Sequence, residues 1–347
     1  MFSTYKSKDV TILLKDITGL VAPLPTEERE KRIQSGHHYS EMLPIEYVPS
    51  KEYMDIYKYA LTNFSKKTAQ SVEIVAEKIW KDKKEDTVLV SLARAGISIG
   101  VLIKHYLEKR YNCTIPHYAV SIIRDIGIDN NAMNYILNIH KPSQIQFVDG
   151  WTGKGVIQKE LKKAMSNYHG VSPGLAVLSD PANVAEKYGT QEDFLIPSSC
   201  LNSTISGLLS RTFYRKDIIY DKDFHGAAFY ENLYSMDLTY EFIHMTEKHF
   251  FSNSINDSFI QHFETEDLKR ICNDFKINDI NLVKPSIGET TRVLLRRVPW
   301  IILVHSLHDY ENLNHIYQLA LEKGVRVIEY PLNQYKACGI IRTLSEN

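Results

Sequence analysis

The chain has 347 residues, of which 44% are apolar and 24% are charged, the composition of an ordinary globular protein. This length predicts about two domains. The formal net charge of -1 excludes a strong overall field toward nucleic acid or membrane, so an RNA site has to be a local patch. No apolar segment reaches the roughly 18 residues that a membrane-spanning helix needs, and we expect no membrane partner.

The four cysteines are far apart and show no Cys-x-x-Cys spacing: Cys113, Cys200, Cys272 and Cys338. This spacing argues against a zinc site and against a disulfide scaffold, and no other pattern predicts a metal held by protein ligands alone. Free thiols are typical of a reducing compartment, so we expect the protein in the cytoplasm.

The first strand-turn-helix unit follows an irregular N-terminal segment and a helix predicted from Ser65 to Trp80. Thr87-Val-Leu-Val-Ser91 reads as a buried strand, and Leu-Ala-Arg94-Ala95-Gly96 leads into an apolar helix. Arg94 is suited to a diphosphate, because its planar guanidinium pairs bidentately with phosphate oxygens. The alternative is a surface arginine beside a packing glycine.

The second unit is Gln146-Phe-Val-Asp-Gly-Trp-Thr-Gly-Lys-Gly155, a strand end and a turn before a helix from Val156 to Met165. The turn offers backbone N–H groups, the Thr152 hydroxyl and a positive helix N-terminus to a phosphate. Asp149 falls at the carboxyl end of a parallel strand, where it can accept hydrogen bonds from ribose hydroxyls. Glycines that only permit a tight turn are the alternative, but two such turns in one domain favour a binding site.

These two turns resemble a known family. Phe147-Val-Asp-Gly-Trp-Thr-Gly-Lys154 resembles the diphosphoribosyl-binding loop of type I phosphoribosyltransferases, and Ser91-Leu-Ala-Arg-Ala-Gly96 resembles their pyrophosphate loop. Most members carry two adjacent acidic residues in the first loop, whereas here Asp149 is followed by Gly150 and Trp151. This departure makes a non-catalytic nucleotide-binding or RNA-binding regulator an alternative to an enzyme.

The resemblance extends to one branch of that family, which joins a phosphoribosyltransferase-like domain to a Pelota-type RNA-binding domain. This branch is associated with bacterial tellurium-resistance (Ter) stress operons and is also labelled a StiP-type cysteine protease. The resemblance covers the chain from about Tyr39 onward. It includes three further segments: Ile196–Thr204, Asp223–Ala227 and Gly288–Arg292.

The fold that the resemblance implies is α/β, with a type I phosphoribosyltransferase-like parallel sheet domain and a small C-terminal α/β/α Pelota-like domain. Strands that alternate with helices predict the same mostly parallel, doubly wound sheet. We predict four segments: an irregular segment and possible hood at 1–50, the phosphoribosyltransferase-like domain at 51–237, a helical connector at 238–275, and the Pelota-like domain at 276–347.

The activity that the resemblance implies is transfer of phosphoribosyl from phosphoribosyl diphosphate, bound with Mg²⁺, to an unknown base or nucleoside-like acceptor. The catalytic residues are then Asp149, Arg94 and Arg124. Arg124 lies in a loop that can close over the diphosphate, although it can equally pair with Asp125 or Asp129. The remaining phosphoribosyl-diphosphate ligands are Ala95, Gly96, Gly150, Trp151, Thr152, Gly153, Lys154 and Gly155.

Two chemistries compete for residues 196–227. Cys200 and His225 are the thiol and imidazole that a cysteine protease needs, and a helix predicted from Asn202 to Ser210 would lower the thiol pKa. We favour a polar wall that recognises the acceptor. Its candidate residues are Ser198, Cys200, Asn202, Ser203, Thr204 and His225.

The C-terminal segment has an alternating pattern of its own. Ser286-Ile-Gly-Glu289 is a capping box that predicts a helix from Ile287 through Arg297. The N-terminus of this helix can hold an RNA phosphate, while Glu289 either accepts from a guanine or only closes the capping box. The candidate RNA-binding residues are Gly288, Glu289, Thr290, Thr291, Arg292 and Arg296. Further elements are predicted at Trp300–Val304, Tyr310–Lys323 and Val325–Tyr330.

Overall fold

The computed structural model describes residues 2–252 and 266–343. In the first of these parts the strands are β1 (Thr11–Ile12), β2 (Lys15–Asp16), β3 (Val88–Leu92), β4 (His117–Val120), β5 (Ile122–Ile123), β6 (Gly127–Ile128), β7 (Ile145–Val148), β8 (Leu175–Ser179), β9 (Lys187–Thr190) and β10 (Gly226–Ala227). The helices are α1 (Thr26–Gln34), α2 (Lys51–Lys83), α3 (Ala95–Tyr111), α4 (Asn130–Leu137), α5 (Val156–Met165) and α6 (Thr239–Glu247).

The central sheet of this N-terminal domain has six strands in the order β1-β4-β3-β7-β8-β9, and all neighbours pair in parallel. Every residue of β3, β7 and β8 is buried, as expected for a parallel sheet that helices cover on both faces. From β3 onward the strand order is 2-1-3-4-5, so the topological switch point lies between β3 and β7. The predicted parallel α/β fold is confirmed.

The N-terminal segment is more regular than predicted. β1 joins the central sheet beside β4, β2 pairs with β10, and α1 presents the buried Arg29 and Glu30. The prediction of an irregular segment at 1–50 is therefore wrong in part. A two-residue strand is too short to show the alternation of apolar and polar residues that predicts a strand. The α1 segment has too few apolar residues to form the apolar face that predicts a helix.

The segment predicted as a helical connector, 238–275, is helical at both of its described ends, and each end packs on a different domain. Phe242 and Ile243 of α6 are fully buried in the core of the N-terminal domain. Ile271 lies on α7 (Glu266–Asp274) and is fully buried against the C-terminal sheet. The middle of the segment, 253–265, lies outside the described residues.

The C-terminal domain contains α7, β11 (Val283–Pro285), α8 (Ile287–Arg296), β12 (Pro299–Val304), α9 (Tyr310–Glu322), β13 (Arg326–Glu329) and β14 (Ala337–Ile341). Its sheet has the order β11-β14-β12-β13, with β12 and β13 parallel and β14 antiparallel to both of its neighbours. The Ser286 side chain accepts a hydrogen bond from the Glu289 N–H, which confirms the predicted start of α8. No helix within residues 2–252 and 266–343 is long and apolar enough to cross a membrane.

Candidate functional site

Two loops meet at the switch point of the central sheet. The arginine loop, Ala93–Gly96, follows β3, and the phosphate loop, Asp149–Gly155, follows β7. A Cβ atom at Gly96 would come within 2.6 Å of the Val148 carbonyl oxygen, so only glycine lets the loops approach this closely. The Ala93–Arg94 peptide bond is cis. The fold thus brings together the two turns that the sequence predicted as one site.

Both loops end at a helix whose N-terminus has no side-chain cap. α3 begins after Arg94, and α5 begins after Gly155, which adopts a left-handed conformation with φ 77°. The first N–H groups of a helix have no partner within the helix, so each N-terminus favours an anion. The Thr152 hydroxyl, by contrast, donates to the Asp180 carboxylate at 2.6 Å. Backbone groups rather than this hydroxyl therefore remain for a phosphate.

Asp149 lies at the end of β7 as predicted and is half-buried. One of its carboxylate oxygens accepts the Gly150 N–H at 2.7 Å. Burial raises the pKa of Asp149 to about 6, and the nearby Arg292 guanidinium opposes this rise. The Asp149 carboxyl group therefore titrates close to neutral pH.

Four arginines from distant parts of the chain gather beside the arginine loop, and we call them the arginine cluster: Arg29, Arg94, Arg211 and Arg296. Arg94 pairs with Glu46 at 3.4 Å and donates to the Leu209 carbonyl. Within the described residues, the other three have no carboxylate at ion-pair distance. Burial lowers the pKa of all three, that of Arg211 to about 9, and the neighbouring guanidinium groups lower it further.

Several donors of the arginine cluster lack an acceptor. Arg29 is 1% exposed, and its Nε and Nη2 atoms have no hydrogen-bond partner in the part of the chain that the structure describes. The same holds for the Nε atom of Arg211. Buried cations without partners are costly, and a bound anion would relieve both the repulsion and the missing hydrogen bonds.

A small cavity lies between the arginine loop and the C-terminal domain. Arg94, Ala95 and Trp151 line it from the predicted diphosphate site, and Arg292 and Arg296 line it from α8. The polar residues Ser98, Ser198, Ser199, Asn202 and Ser206 complete its wall. Its volume is about 20 Å³, enough for roughly one or two water molecules. The cavity thus lies where side chains of both domains meet.

The C-terminal domain packs directly on the phosphate loop. A Cβ atom at Gly288 would come within 2.2 Å of the Trp151 indole, and the Arg292 guanidinium lies 4.4 Å from the centre of the Trp151 rings. Lys154 donates to the carbonyls of Ile280 and Val283. The predicted phosphate ligand Lys154 is thus held by the other domain and does not face the cavity.

The predicted RNA-binding residues lie on α8, next to this interface, and differ in burial. Thr290 and Thr291 are fully buried, and the Thr291 hydroxyl donates to the Ile287 carbonyl. Both hydroxyls are thus enclosed by the domain itself, and the binding of an RNA phosphate at the N-terminus of α8 stays a prediction. Gly288 is buried against Trp151, whereas the side chains of Glu289 and Arg292 are 25% and 31% exposed.

The predicted acceptor wall is only partly assembled. Ser198 and Asn202 line the cavity, and Asn202 accepts from Arg296 Nε at 2.5 Å. The remaining members, Cys200, Ser203, Thr204 and His225, are buried and do not line it. The sequence did not predict five of the cavity residues: Ser98, Ser199, Leu201, Ile205 and Ser206. The three serines lie in or close to the arginine loop and the segment Ile196–Thr204, and this proximity was the signal that could have located them.

Arg124 stands in the turn between β5 and β6. Its Nε atom donates to Asp125 at 2.9 Å, and its Nη1 atom lies 3.3 Å from the side-chain oxygen of Asn281 in the C-terminal domain. The alternative in which Arg124 pairs with Asp125 therefore describes this structure, and a role at the diphosphate stays a prediction.

The two residues proposed for protease chemistry, Cys200 and His225, share no hydrogen bond among the described residues. His225 Nδ1 bonds to Ser121 at 2.9 Å, and the His225 N–H donates to Asp129. Cys200 is fully buried at the end of a 3-10 turn, Pro197–Cys200, and burial raises the pKa of its thiol. The helix predicted from Asn202 to Ser210 is absent from these described residues, which form only a short 3-10 turn at Ser203–Ile205.

We expect Cys200→Ala to leave any peptide hydrolysis by the full-length protein unchanged, because a buried neutral thiol without an imidazole partner is a poor nucleophile. The measurement is release of fluorescent fragments from labelled casein, with Cys113→Ala as a matched control. A loss of hydrolysis confined to Cys200→Ala would assign the nucleophile to this thiol.

A second expected result concerns pH. Asp193 of the N-terminal domain accepts the Ile287 N–H at 3.1 Å and the Lys336 N–H at 2.9 Å, and burial raises its pKa from 3.8 to about 7. The folded protein therefore holds this proton more tightly than the unfolded chain does, so Asp193 destabilises it increasingly as pH rises from about 4 to about 7.

The quantity of interest is the melting temperature of the wild type minus that of Asp193→Asn. We expect this difference to be roughly a few degrees lower at pH 8 than at pH 5. Scanning calorimetry of both proteins at several pH values measures this difference. A rise in this temperature difference from pH 5 to pH 8 would contradict a raised pKa of Asp193 in the folded protein.

The two domains of the chain each match a known protein family. Residues 3–247 match the family described as "Tellurite-like stress resistance cysteine protease StiP", and residues 262–343 match the "PELOTA RNA binding domain". The chain is 33% identical over 366 aligned positions to "Cysteine protease StiP" of Acinetobacter baylyi, covering 99% of this chain and 94% of that protein.

Similar solved structures cover smaller parts. A hypoxanthine-guanine phosphoribosyltransferase from Bacillus anthracis is 14% identical, covers 38% of this chain and 82% of its own, and has a TM-score of 0.28. A hypothetical protein from Neisseria gonorrhoeae with bound ppGpp is 16% identical, covers 45% of this chain and 87% of its own, and has a TM-score of 0.23.

The fold and the site define an α/β protein in which a doubly wound domain with a switch-point cavity carries a C-terminal Pelota RNA-binding domain. The chain belongs to the StiP family of tellurite-like stress resistance proteins. The resemblance drawn from the sequence to a StiP-type, Pelota-containing family is confirmed.

Proposed function

We propose that this protein binds phosphoribosyl diphosphate at the switch point and transfers the phosphoribosyl group to a base or nucleoside-like acceptor. The observation that carries the proposal is the arginine cluster, in which Arg94 alone has a carboxylate at ion-pair distance among the described residues, that of Glu46. A diphosphate supplies the oxygens and the negative charge that these groups lack. The uncapped N-terminus of α5 offers a separate place for the sugar 5′-phosphate.

In the proposed reaction the bond between C1′ of the ribose and the diphosphate oxygen breaks, and a bond from C1′ to an acceptor nitrogen forms. Diphosphate leaves with the bonding electrons, and the acceptor nitrogen loses its proton to solvent. The arginine cluster would stabilise the charge that develops on the leaving diphosphate, which is electrostatic catalysis by groups already in place. Asp149 would accept hydrogen bonds from the ribose hydroxyls.

Magnesium would accompany the substrate. Within the described residues, no group of three or more histidine, cysteine, aspartate or glutamate side chains is arranged to hold a metal ion. Mg²⁺ commonly binds through substrate phosphates, water and one or two carboxylates, so the diphosphate can bring its own ion. The match of residues 262–343 to a Pelota RNA-binding domain supports RNA as a partner of the same protein.

The test is pyrophosphate release from phosphoribosyl diphosphate and Mg²⁺ by the full-length protein, with a panel of bases and nucleosides as acceptors. We expect release that depends on one acceptor class and is lost in Asp149→Asn. Binding of phosphoribosyl diphosphate without release for any acceptor would favour a nucleotide-sensing or RNA-binding regulator.

A further inference from the structure

The C-terminal domain places an acidic side chain on the phosphate loop. Glu289 lies on α8, and a Cβ atom added to Gly153 would come within 2.8 Å of Glu289 Cγ. The Tyr335 hydroxyl of the same domain donates to the Gly153 carbonyl at 2.9 Å. The carboxylate therefore enters a site whose other parts belong to the N-terminal domain.

Glu289 is not used to close the capping box at the start of α8. A reciprocal box requires the Glu289 carboxylate to accept the Ser286 N–H. That N–H donates instead to the Ala337 carbonyl at 2.9 Å, while the Glu289 carboxylate accepts from Arg292 at 2.5 Å. Helix capping thus leaves the orientation of the carboxylate unexplained.

The charges around Asp149 come from the same helix. Both charged side chains that shift the Asp149 pKa are on α8: Arg292 lowers it and Glu289 raises it. Arg292 also lies over the Trp151 ring of the phosphate loop. Glu289 and Arg292 thus contact the phosphate loop at Gly153 and Trp151, and their charges act on Asp149 at the start of the same loop.

We propose that Glu289 and Asp149 form one carboxylate pair that binds the 2′ and 3′ hydroxyls of a ribose phosphate, with Arg292 neutralising the pair. Adjacent hydroxyls present two donors, and two ionised carboxylates accept only, so the groups are complementary. The C-terminal domain thereby completes the sugar site that the phosphate loop begins with its single acid. This inference rests on the proposed function.

Ribose 5-phosphate and pyrophosphate separate the two halves of the site. By calorimetry on the full-length protein, we expect Glu289→Gln to weaken ribose 5-phosphate binding at least tenfold, roughly the loss of one charge-assisted hydrogen bond. Pyrophosphate binding should stay within about twofold of the wild type, because the arginine cluster is intact. Glu311→Gln is the matched control, since Glu311 is an exposed acid of the same domain.

Equal affinity of Glu289→Gln and wild type for ribose 5-phosphate would overturn the inference and leave the proposed function standing. Loss of both ligands by Glu289→Gln at an unchanged melting temperature would also overturn it, because Glu289 would then act on the whole domain arrangement. A wild type that binds neither ligand would remove the proposed function and the inference together.

Discussion

Replacing Arg94 by alanine should weaken pyrophosphate binding by about 100-fold, which corresponds to roughly 2.7 kcal/mol. Arg94 is 7% exposed, lines the cavity, and stands at the N-terminus of α3, where its planar guanidinium can bind two phosphate oxygens at once. Charge-assisted hydrogen bonds each contribute about 1.5–3 kcal/mol, so losing a bidentate pair has this size. Isothermal calorimetry with pyrophosphate and Mg²⁺ measures the change.

Two further variants isolate the cause. Arg94→Lys keeps the positive charge without the planar fork and should lie between wild type and alanine. Arg110→Ala removes an arginine whose side chain is 57% exposed and should bind pyrophosphate as the wild type does. Unchanged affinity in Arg94→Ala would show that the arginine loop is not a diphosphate site.

The change from Gly288 to alanine should separate the two domains. Its new Cβ atom would lie 2.2 Å from an indole carbon of Trp151, and the Arg292 guanidinium on the same ring leaves little space for the indole to shift. Separation would expose the face of α8 that carries Arg292 and Arg296. We therefore expect a larger radius of gyration and affinity for a single-stranded RNA about tenfold higher or more, since phosphate contacts dominate such binding.

Small-angle scattering and fluorescence anisotropy at one fixed salt concentration measure these two effects. Gly324→Ala is the matched control, because a Cβ atom at Gly324 meets nothing within 4 Å, although its φ of +62° carries some strain. Tighter RNA binding at an unchanged radius of gyration, or an expanded protein with unchanged RNA affinity, would break the proposed link between docking and RNA access.

The sequence predicted those parts of the fold that depend on local patterns. Buried apolar runs located β3 and β7, and the glycine-rich turns after them located both loops, because such turns are set by neighbouring residues. The serine at Ser286 located the start of α8. These features need no knowledge of distant contacts.

The rest of the site depends on contacts between distant segments. The arginine cluster combines Arg29 of α1, Arg211 of a loop and Arg296 of α8 with Arg94, and no spacing in the sequence relates them. The docking of the C-terminal domain was equally hidden, so Arg292 was assigned to RNA, and Glu289 to RNA or to the capping box. The helix predicted from Asn202 to Ser210 was also wrong, because the chain after Cys200 forms only a short 3-10 turn at Ser203–Ile205.

We propose that the switch-point cavity, which Arg94 and Arg296 of the arginine cluster line, is a phosphoribosyl diphosphate site. Titration calorimetry of the full-length wild type with phosphoribosyl diphosphate and Mg²⁺ tests it most directly. We predict saturable binding of one molecule per chain that excess pyrophosphate displaces. A folded protein that shows no heat of binding and no protection against thermal unfolding by this ligand would show that the cavity does not bind phosphoribosyl diphosphate.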